Sequence, residues 1–384
     1  MRILHVVPSY LPAVRYGGPI VSVHALCAAL VKRGHEVEVF TTNVDGPSVS
    51  DVPLDRPVMM DGVQVHYFPA STPRRLYYSP AMAKALANQS HPFDLVHLHS
   101  VFLWPTWAAA RAAKKQNTPY VISPRGMLVK ELIHARSRWL KTAWIALIEK
   151  NNLRDAAGIH STSKIETEEM LALNLGLKAQ PFEIPNGVAL PKLGDAGGRQ
   201  DKPAPFVLAL GRISWKKRLE LTLEAIAKVP GLQLVIAGTD DEGLTPSIKA
   251  HAIKLGIEDR LRFVGSVSGI EKDRLLQQSL ALMITSISEN FGNVVLESLA
   301  ASRPVLCVPQ VGAADIVAAA DAGAVVLPEA DLLAAVLRRW FEDPALAEAL
   351  GKNGRYWVEL QYSWDNIAEQ METSYQAILD SWQQ

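Results

Sequence analysis

The chain reads as an α/β protein built of two doubly wound, Rossmann-like domains, and three features of its 384 residues carry that reading. Short runs rich in Val, Ile and Leu alternate with longer stretches of helical period, the pattern of parallel strands covered on both faces. The alternation stops once, at a stretch from Val188 to Pro205 that is rich in glycine and proline and poor in residues that can be buried. It then resumes for as long again. With 48% hydrophobic residues, the chain is long enough to bury two cores.

In the first half the strand-like runs are Ile3–Val7, Glu36–Phe40, Val63–Phe68, Leu95–His99, Tyr120–Ser123 and Gly158–Ser161. Helical stretches follow them near Pro19–Lys32, Pro80–Asn88, Pro105–Lys115, Ser137–Arg154 and Lys164–Leu175, and Gly34 stands where a left-handed cap is expected after the first. In the second half the strands are Phe206–Leu210, Leu232–Ala237, Leu261–Val264, Leu280–Thr285, Pro304–Val308 and Ala324–Leu327, each followed by a helical segment. Trp364–Trp382 puts Ile367, Met371, Tyr375, Ile378 and Trp382 on one helical face, so it is expected to pack on a domain. Two such domains set the carboxyl ends of two sheets across one cleft, where folds of this kind bind ligands.

Composition removes several classes of function. Lys plus Arg total 39 and Asp plus Glu total 39, so no basic excess exists to neutralise a nucleic-acid backbone. The two cysteines, Cys27 and Cys307, lie far apart in apolar runs and suit neither a disulfide framework nor a structural zinc site. The amino-terminal MRILHVVPSYLP is strand-like rather than a secretion signal. No apolar run approaches the ~20 residues that span a bilayer. A cytoplasmic protein is expected.

The dinucleotide fingerprint is missing after the first strand of either half, which rules against a nicotinamide enzyme. A P-loop, H-E-x-x-H and C-x-x-C are missing too. What remains is a set of polar residues at strand ends, above all SISENFGNVVLESLAASRPVL. Seven residues separate Glu289 from Glu297, which puts one carboxylate before a helix and the other in its second turn. The N–H groups of Gly292, Asn293 and Val294 at the helix start suit a pyrophosphate. The carboxylates suit sugar hydroxyls, or are an ordinary helix-terminal acid and a solvated one. Arg212, Lys216, Lys217 and Arg218 in LGRISWKKR follow the first strand of the second half and form a cationic end suited to a diphosphate, or a solvated basic turn.

Taken together, these segments resemble family 4 glycosyltransferases of the GT-B fold over nearly the whole chain. The most specific element is E-x7-E followed by small residues and R-P-V, from Glu289 to Val305. Gly17 and Gly18, the HLH run at His97–His99, IPNG at Ile184–Gly187, LGRISWKK at Leu210–Lys217 and GAADIV at Gly312–Val317 match in the same order. The resemblance implies a retaining, metal-independent hexosyltransferase of surface polysaccharide or glycolipid synthesis. It would move sugar from a UDP- or GDP-sugar to a glycan or lipid-linked glycan. Residues 1–187 would form the acceptor-side domain, 188–205 the linker, and 206–362 the nucleotide-sugar domain, with 363–384 a helix packing back on the first domain.

Carried over residue by residue, Arg212 and Lys217 grip the donor phosphates, Glu289 meets the transferred sugar and Glu297 the ribose. His99 touches the sugar, and Phe291, Gly292, Asn293, Val294, Gly17 and Gly18 line the donor site. Relatives often carry glycine where Arg218 stands. They often carry histidine where Arg125 stands in SPRGML, and this arginine meets an anionic acceptor, a donor phosphate or an internal acid. His97 and His99 share one strand face, but nothing near them in sequence completes a metal site. The acidic loop Asp240–Glu242 invites a metal, yet the cations above already supply charge at the leaving group, so none is expected to be essential. The basic, Trp-bearing stretch 137–154 reads as core with its edge covered by long cations, and alternatively as a surface for peripheral membrane contact. On the same architecture, a nucleotide-sugar epimerase or hydrolase and a non-catalytic binding scaffold are the competing readings.

Overall fold

The computed structural model describes residues 1–13, 17–88, 91–128, 144–194 and 204–383. The chain divides into two compact units, one of Met1–Gly187 with Trp364–Gln384, the other of Val188–Ser363.

The first unit is an eight-stranded sheet: β1 (Arg2–Ser9), β2 (Glu36–Thr42), β5 (Val58–Met60), β6 (Val63–Phe68), β7 (Leu95–His99), β8 (Tyr120–Ser123), β9 (Gly158–Ser161) and β10 (Pro181–Glu183). Their spatial order is β10-β9-β8-β7-β1-β2-β6-β5, and a two-stranded ribbon of β3 (Val44–Asp45) and β4 (Ser48–Val49) lies outside it. All neighbours in the sheet are parallel except β5 on β6. The central strands are buried along nearly their whole length, as expected of a sheet covered on both faces. The order reverses beside β1, between β1 and β7. At such a switch point the helices that follow the two strands leave on opposite faces and open a crevice. Helices α1 (Gly18–Lys32), α2 (Pro80–Ala87), α3 (Trp104–Lys115), α4 (Lys150–Arg154) and α5 (Lys164–Leu171) complete the unit, with a π turn at Ile145–Glu149 leading into α4.

The second unit is a six-stranded parallel sheet in the order β13-β12-β11-β14-β15-β16. Its strands are β11 (Phe206–Leu210), β12 (Gln233–Ala237), β13 (Leu261–Gly265), β14 (Ala281–Ile284), β15 (Val305–Cys307) and β16 (Gly323–Val325). Its switch point falls between β11 and β14. The helices are α6 (Leu219–Ala227), α7 (Thr245–Lys254), α8 (Gly269–Gln278), α9 (Asn293–Ala300), α10 (Ala314–Ala319), α11 (Ala330–Glu342) and α12 (Pro344–Gln361). The last helix, α13 (Trp364–Trp382), belongs to the first unit, where Ile367, Met371, Tyr375 and Ile378 join the core beside β1 and α1. Trp382, expected on the same face, is 41% exposed.

Twelve strands stand where the alternation of apolar runs puts them. The structure adds β3, β4, β5 and β10, each two or three residues long, too short to show a period. Residues 129–143 and 195–203 lie outside the described residues, and with them the first seven residues of the basic stretch 137–154 and the middle of the linker. Of the part described, Leu153 is fully buried while Leu147 is 75% exposed. Among the described residues no helix is long and apolar enough to cross a membrane.

Candidate active site

In the second unit an open cavity lies at the switch point, lined by residues at the carboxyl ends of β11 and β14 together with Gly211, Arg212, Lys217, Thr285 and Ser286. Four loops build it by bonding to one another. Ile213 N–H donates to the Thr239 carbonyl at 2.8 Å, and Ile287 N–H to the Lys216 carbonyl at 2.8 Å. Glu289 N–H donates to Gln310 at 3.1 Å, and Gly312 and Ala313 return N–H bonds to the carbonyls of Glu289 and Phe291 at 2.9 and 2.8 Å. The segment GAADIV therefore braces the Glu289 loop from behind.

Lys217 Nζ and the Glu289 carboxylate form an ion pair, so two residues 72 apart in sequence converge on one point. Each side chain keeps about a quarter of its surface exposed. Arg212 is exposed at the cavity edge. Ser286 was not among the residues that sequence reasoning selected. Its hydroxyl lines the cavity and has no hydrogen-bond partner among the described residues. Only its position in the fold gives this away.

Gly292 begins α9 in the left-handed region at φ 88°, and a Cβ there would meet Val311 at 3.2 Å and Glu289 at 3.3 Å, so conformation and space both demand glycine. Asn293 and Val294 follow in the first turn. Glu297 sits in the second turn, where Lys272 of α8 reaches one carboxylate oxygen at 2.8 Å, a partner that sequence spacing did not suggest. Phe291, assigned to the donor site, is 4% exposed and packs in the core of the second unit. Arg218, where glycine was the expected residue, adopts φ 51° itself. Thr285 Oγ1 steadies that turn by donating to the carbonyls of Lys217 and Arg218 at 2.9 and 3.1 Å, alternatives for its one hydrogen.

The acidic loop is otherwise occupied. Both carboxylate oxygens of Asp240 accept N–H groups at the start of α7, from Leu244 at 2.8 Å and Thr245 at 2.7 Å, and Glu242 accepts Trp215 N–H at 3.1 Å. These bonds make Asp240 a support of the helix start and Glu242 a support of the loop, while Asp241 is exposed.

In the first unit Gly17 precedes α1 at φ 75°, with Gly18 and Pro19 opening the helix. Strands β1, β7 and β9 bring together four buried histidines, and the hydrogen bonds fix their protons. His160 Nε2 lies 2.8 Å from the Ile184 carbonyl, which only accepts, so that nitrogen carries hydrogen and Nδ1 accepts from Ser123 Oγ at 2.7 Å. Ser123 in turn accepts from His97 Nε2 at 2.6 Å, and His97 Nδ1 accepts from the Tyr375 hydroxyl at 2.5 Å. Likewise Arg125 Nη2 donates to His99 Nδ1 at 3.3 Å, and His99 Nε2 donates to His5 Nδ1 at 2.9 Å. All four rings are neutral. Burial holds His5 and His160 down at about 3, and places His97 and His99 well below the ordinary histidine range.

This geometry changes two expectations. His5, on the neighbouring strand, supplies the third imidazole that sequence proximity lacked, and donor atoms of His5, His97 and His99 lie within 4.8 Å of one another. Both nitrogens of His97 and of His99 are already hydrogen-bonded, so a metal would have to displace those bonds. His99 is 1% exposed and stands beneath Arg125, which is half-buried. Its two ring nitrogens are bonded to Arg125 and to His5.

Residues 17–187 match the family described as glycosyl transferase 4-like domain, and residues 196–357 the family described as glycosyl transferases group 1. An uncharacterised glycosyltransferase of Methanocaldococcus jannaschii is 26% identical over 99% of both chains. GDP-mannose:cellobiosyl-diphosphopolyprenol alpha-mannosyltransferase of Komagataeibacter xylinus is 26% identical over 99% of this chain and 94% of its own. Among solved structures, sucrose-phosphate synthase of Thermosynechococcus elongatus superposes with a TM-score of 0.77 at 24% identity, covering 99% of each chain. HepE of Anabaena, in complex with UDP and glucose, does so at 0.75 and 19%, over 98% of this chain and 100% of its own. Two Rossmann-like units, each matched by its own family from residue 17 to residue 357, make this chain a member of the glycosyltransferases of the GT-B fold.

Proposed function

We propose that the chain is a retaining, metal-independent hexosyltransferase that uses a UDP- or GDP-sugar to extend a glycan or lipid-linked glycan in surface polysaccharide or glycolipid synthesis. The observation that carries it is the second unit's cavity, where Arg212, Lys217 and the orphaned Ser286 hydroxyl surround one opening and Glu289 reaches Lys217. A UDP-bound relative of the same fold and a relative that acts on a diphosphopolyprenol-linked sugar support the substrate classes.

In this reading the donor diphosphate takes the place of the Glu289 carboxylate at Lys217, and Arg212 adds a second cation. As the anomeric carbon–oxygen bond breaks, the leaving phosphate gains charge, and fixed cations favour that state over the intact donor. The acceptor hydroxyl forms its bond on the face that the phosphate leaves, and its proton passes to the departing phosphate oxygen. Glu289, released from Lys217, accepts hydroxyls of the transferred sugar, and Glu297 accepts those of the ribose. Phosphate, sugar and ribose are thus held by groups on one sheet end.

Lys217→Ala and Arg212→Ala are each expected to lower sugar-transfer turnover about 100-fold or more, the scale for one preorganised charge-stabilising donor. Far-ultraviolet circular dichroism should stay unchanged, and EDTA should leave wild-type turnover intact. Near-wild-type turnover in both variants overturns the phosphate clamp, and activity lost to EDTA and restored by manganese or magnesium overturns metal independence.

A further inference from the structure

The loop after β8 bears on what the acceptor carries. Arg125 stands there at φ 57°, a conformation that a non-glycine residue keeps only where its surroundings fix it. Glu166, in the first turn of α5, does much of the fixing. One of its oxygens accepts Gly126 N–H at 2.6 Å, and the other accepts the N–H and hydroxyl of Thr162 at 2.8 and 2.9 Å. These three bonds of the carboxylate that acts on Arg125 through space all come from neutral donors.

The guanidinium is left with neutral partners. Nη1 donates to Asn186 Oδ1 at 3.1 Å and Nη2 to His99 Nδ1 at 3.3 Å, while Nε is buried with no partner. His99 is neutral, because its Nδ1 accepts from the arginine. A guanidinium is a rigid fork of five donors, and one withdrawn from water is ordinarily matched to an oxyanion. Among the described residues Arg125 has no such match. It stands at the carboxyl end of β8, one strand from the switch point between β1 and β7, where a sheet of this kind takes its ligand.

We propose that Arg125 binds an oxyanion on the acceptor, so that the sugar is transferred to a glycan carrying a phosphate ester or a carboxylate. The proposal rests on the donor being held by the second unit, as argued above. His99 and Asn186 are then positioning residues that orient the fork. The neutral His99–His5 pair beneath it lets the arginine keep its charge without a second cation against it.

The test is isothermal titration of the full chain, first saturated with UDP or GDP, whichever it binds, so that the donor cavity is filled. Glucose 1-phosphate, glucuronate and glucose are then titrated in turn. One of the two anions should bind and glucose should not; which anion binds tells phosphate from carboxylate. Arg125→Gln should weaken that binding about tenfold or more, the loss of a charge-assisted pair, and Arg125→Lys, which keeps charge without the fork, should fall between. The Lys variant keeps the test valid if the Gln variant folds poorly. Equal anion affinity in all three proteins, or no anion bound by wild type, overturns the proposal. So does an Arg125→Gln loss of nucleoside-diphosphate affinity equal to that of Lys217→Ala, which would move Arg125 to the donor. If Lys217→Ala leaves nucleoside-diphosphate affinity untouched, the donor reading fails instead, and the anion titration still judges Arg125.

Discussion

Glu289 and Glu297 are chemically alike and differ in what holds them. Glu289 pairs with Lys217 at the cavity, and Glu297 pairs with Lys272 one turn into α9. On the proposed function, a donor that claims Lys217 for its phosphates frees Glu289 for the sugar, whereas Glu297 makes a contact that donor and free nucleoside diphosphate share. Glu289→Gln should therefore cut turnover while leaving affinity for the free diphosphate within a few-fold, and Glu297→Gln should weaken both. Isothermal titration of the two variants with the diphosphate separates the roles. A diphosphate affinity lost as badly in Glu289→Gln as in Glu297→Gln would show the division of labour to be wrong. These two carboxylates were legible in sequence because seven residues and one helix set their spacing. Lys272 and Ser286 were not, since one reaches Glu297 from a different helix and the other differs from any serine only by its burial.

At the scale of elements, β1, β7 and β9 each contribute histidine to one buried row, and α13 closes it through Tyr375. Sequence order shows His97 and His99 as a strand pair. It cannot show His5, which is opposite His97 across the β1–β7 ladder, because strand pairing joins residues with no fixed separation. The same holds for Arg125 above His99. The long strands were legible because burial on both faces makes each a continuous apolar run, while β3, β4, β5 and β10 depend on their neighbours more than on composition. The row has a consequence for stability. Each histidine is held below its unfolded value near 6.5, so its contribution is intact above that pH and is lost as pH falls toward the folded value. The loss sets in below pH 6.5 and grows as pH falls. Urea unfolding followed at pH 7.5 and 5.5 should show a markedly lower midpoint at the acid pH. A midpoint unchanged or raised there contradicts the neutral, buried row.

Across the whole molecule, the two units use one architecture for different chemistry. The second unit presents cations, a free hydroxyl and a helix start at the carboxyl ends of β11 and β14. The first presents Arg125 on a neutral imidazole base at the carboxyl ends of β7 and β8. On the proposed function, the second unit grips the donor through its diphosphate. This grip is tested most directly by thermal unfolding of the full chain with UDP, GDP and their hexose conjugates, in wild type and in the double variant Arg212→Ala, Lys217→Ala. A bound ligand raises the midpoint by mass action. One nucleotide series should stabilise the wild type, and neither the diphosphate nor its sugar conjugate should shift the double variant; equal shifts in both proteins would rule out a diphosphate grip by Arg212 and Lys217.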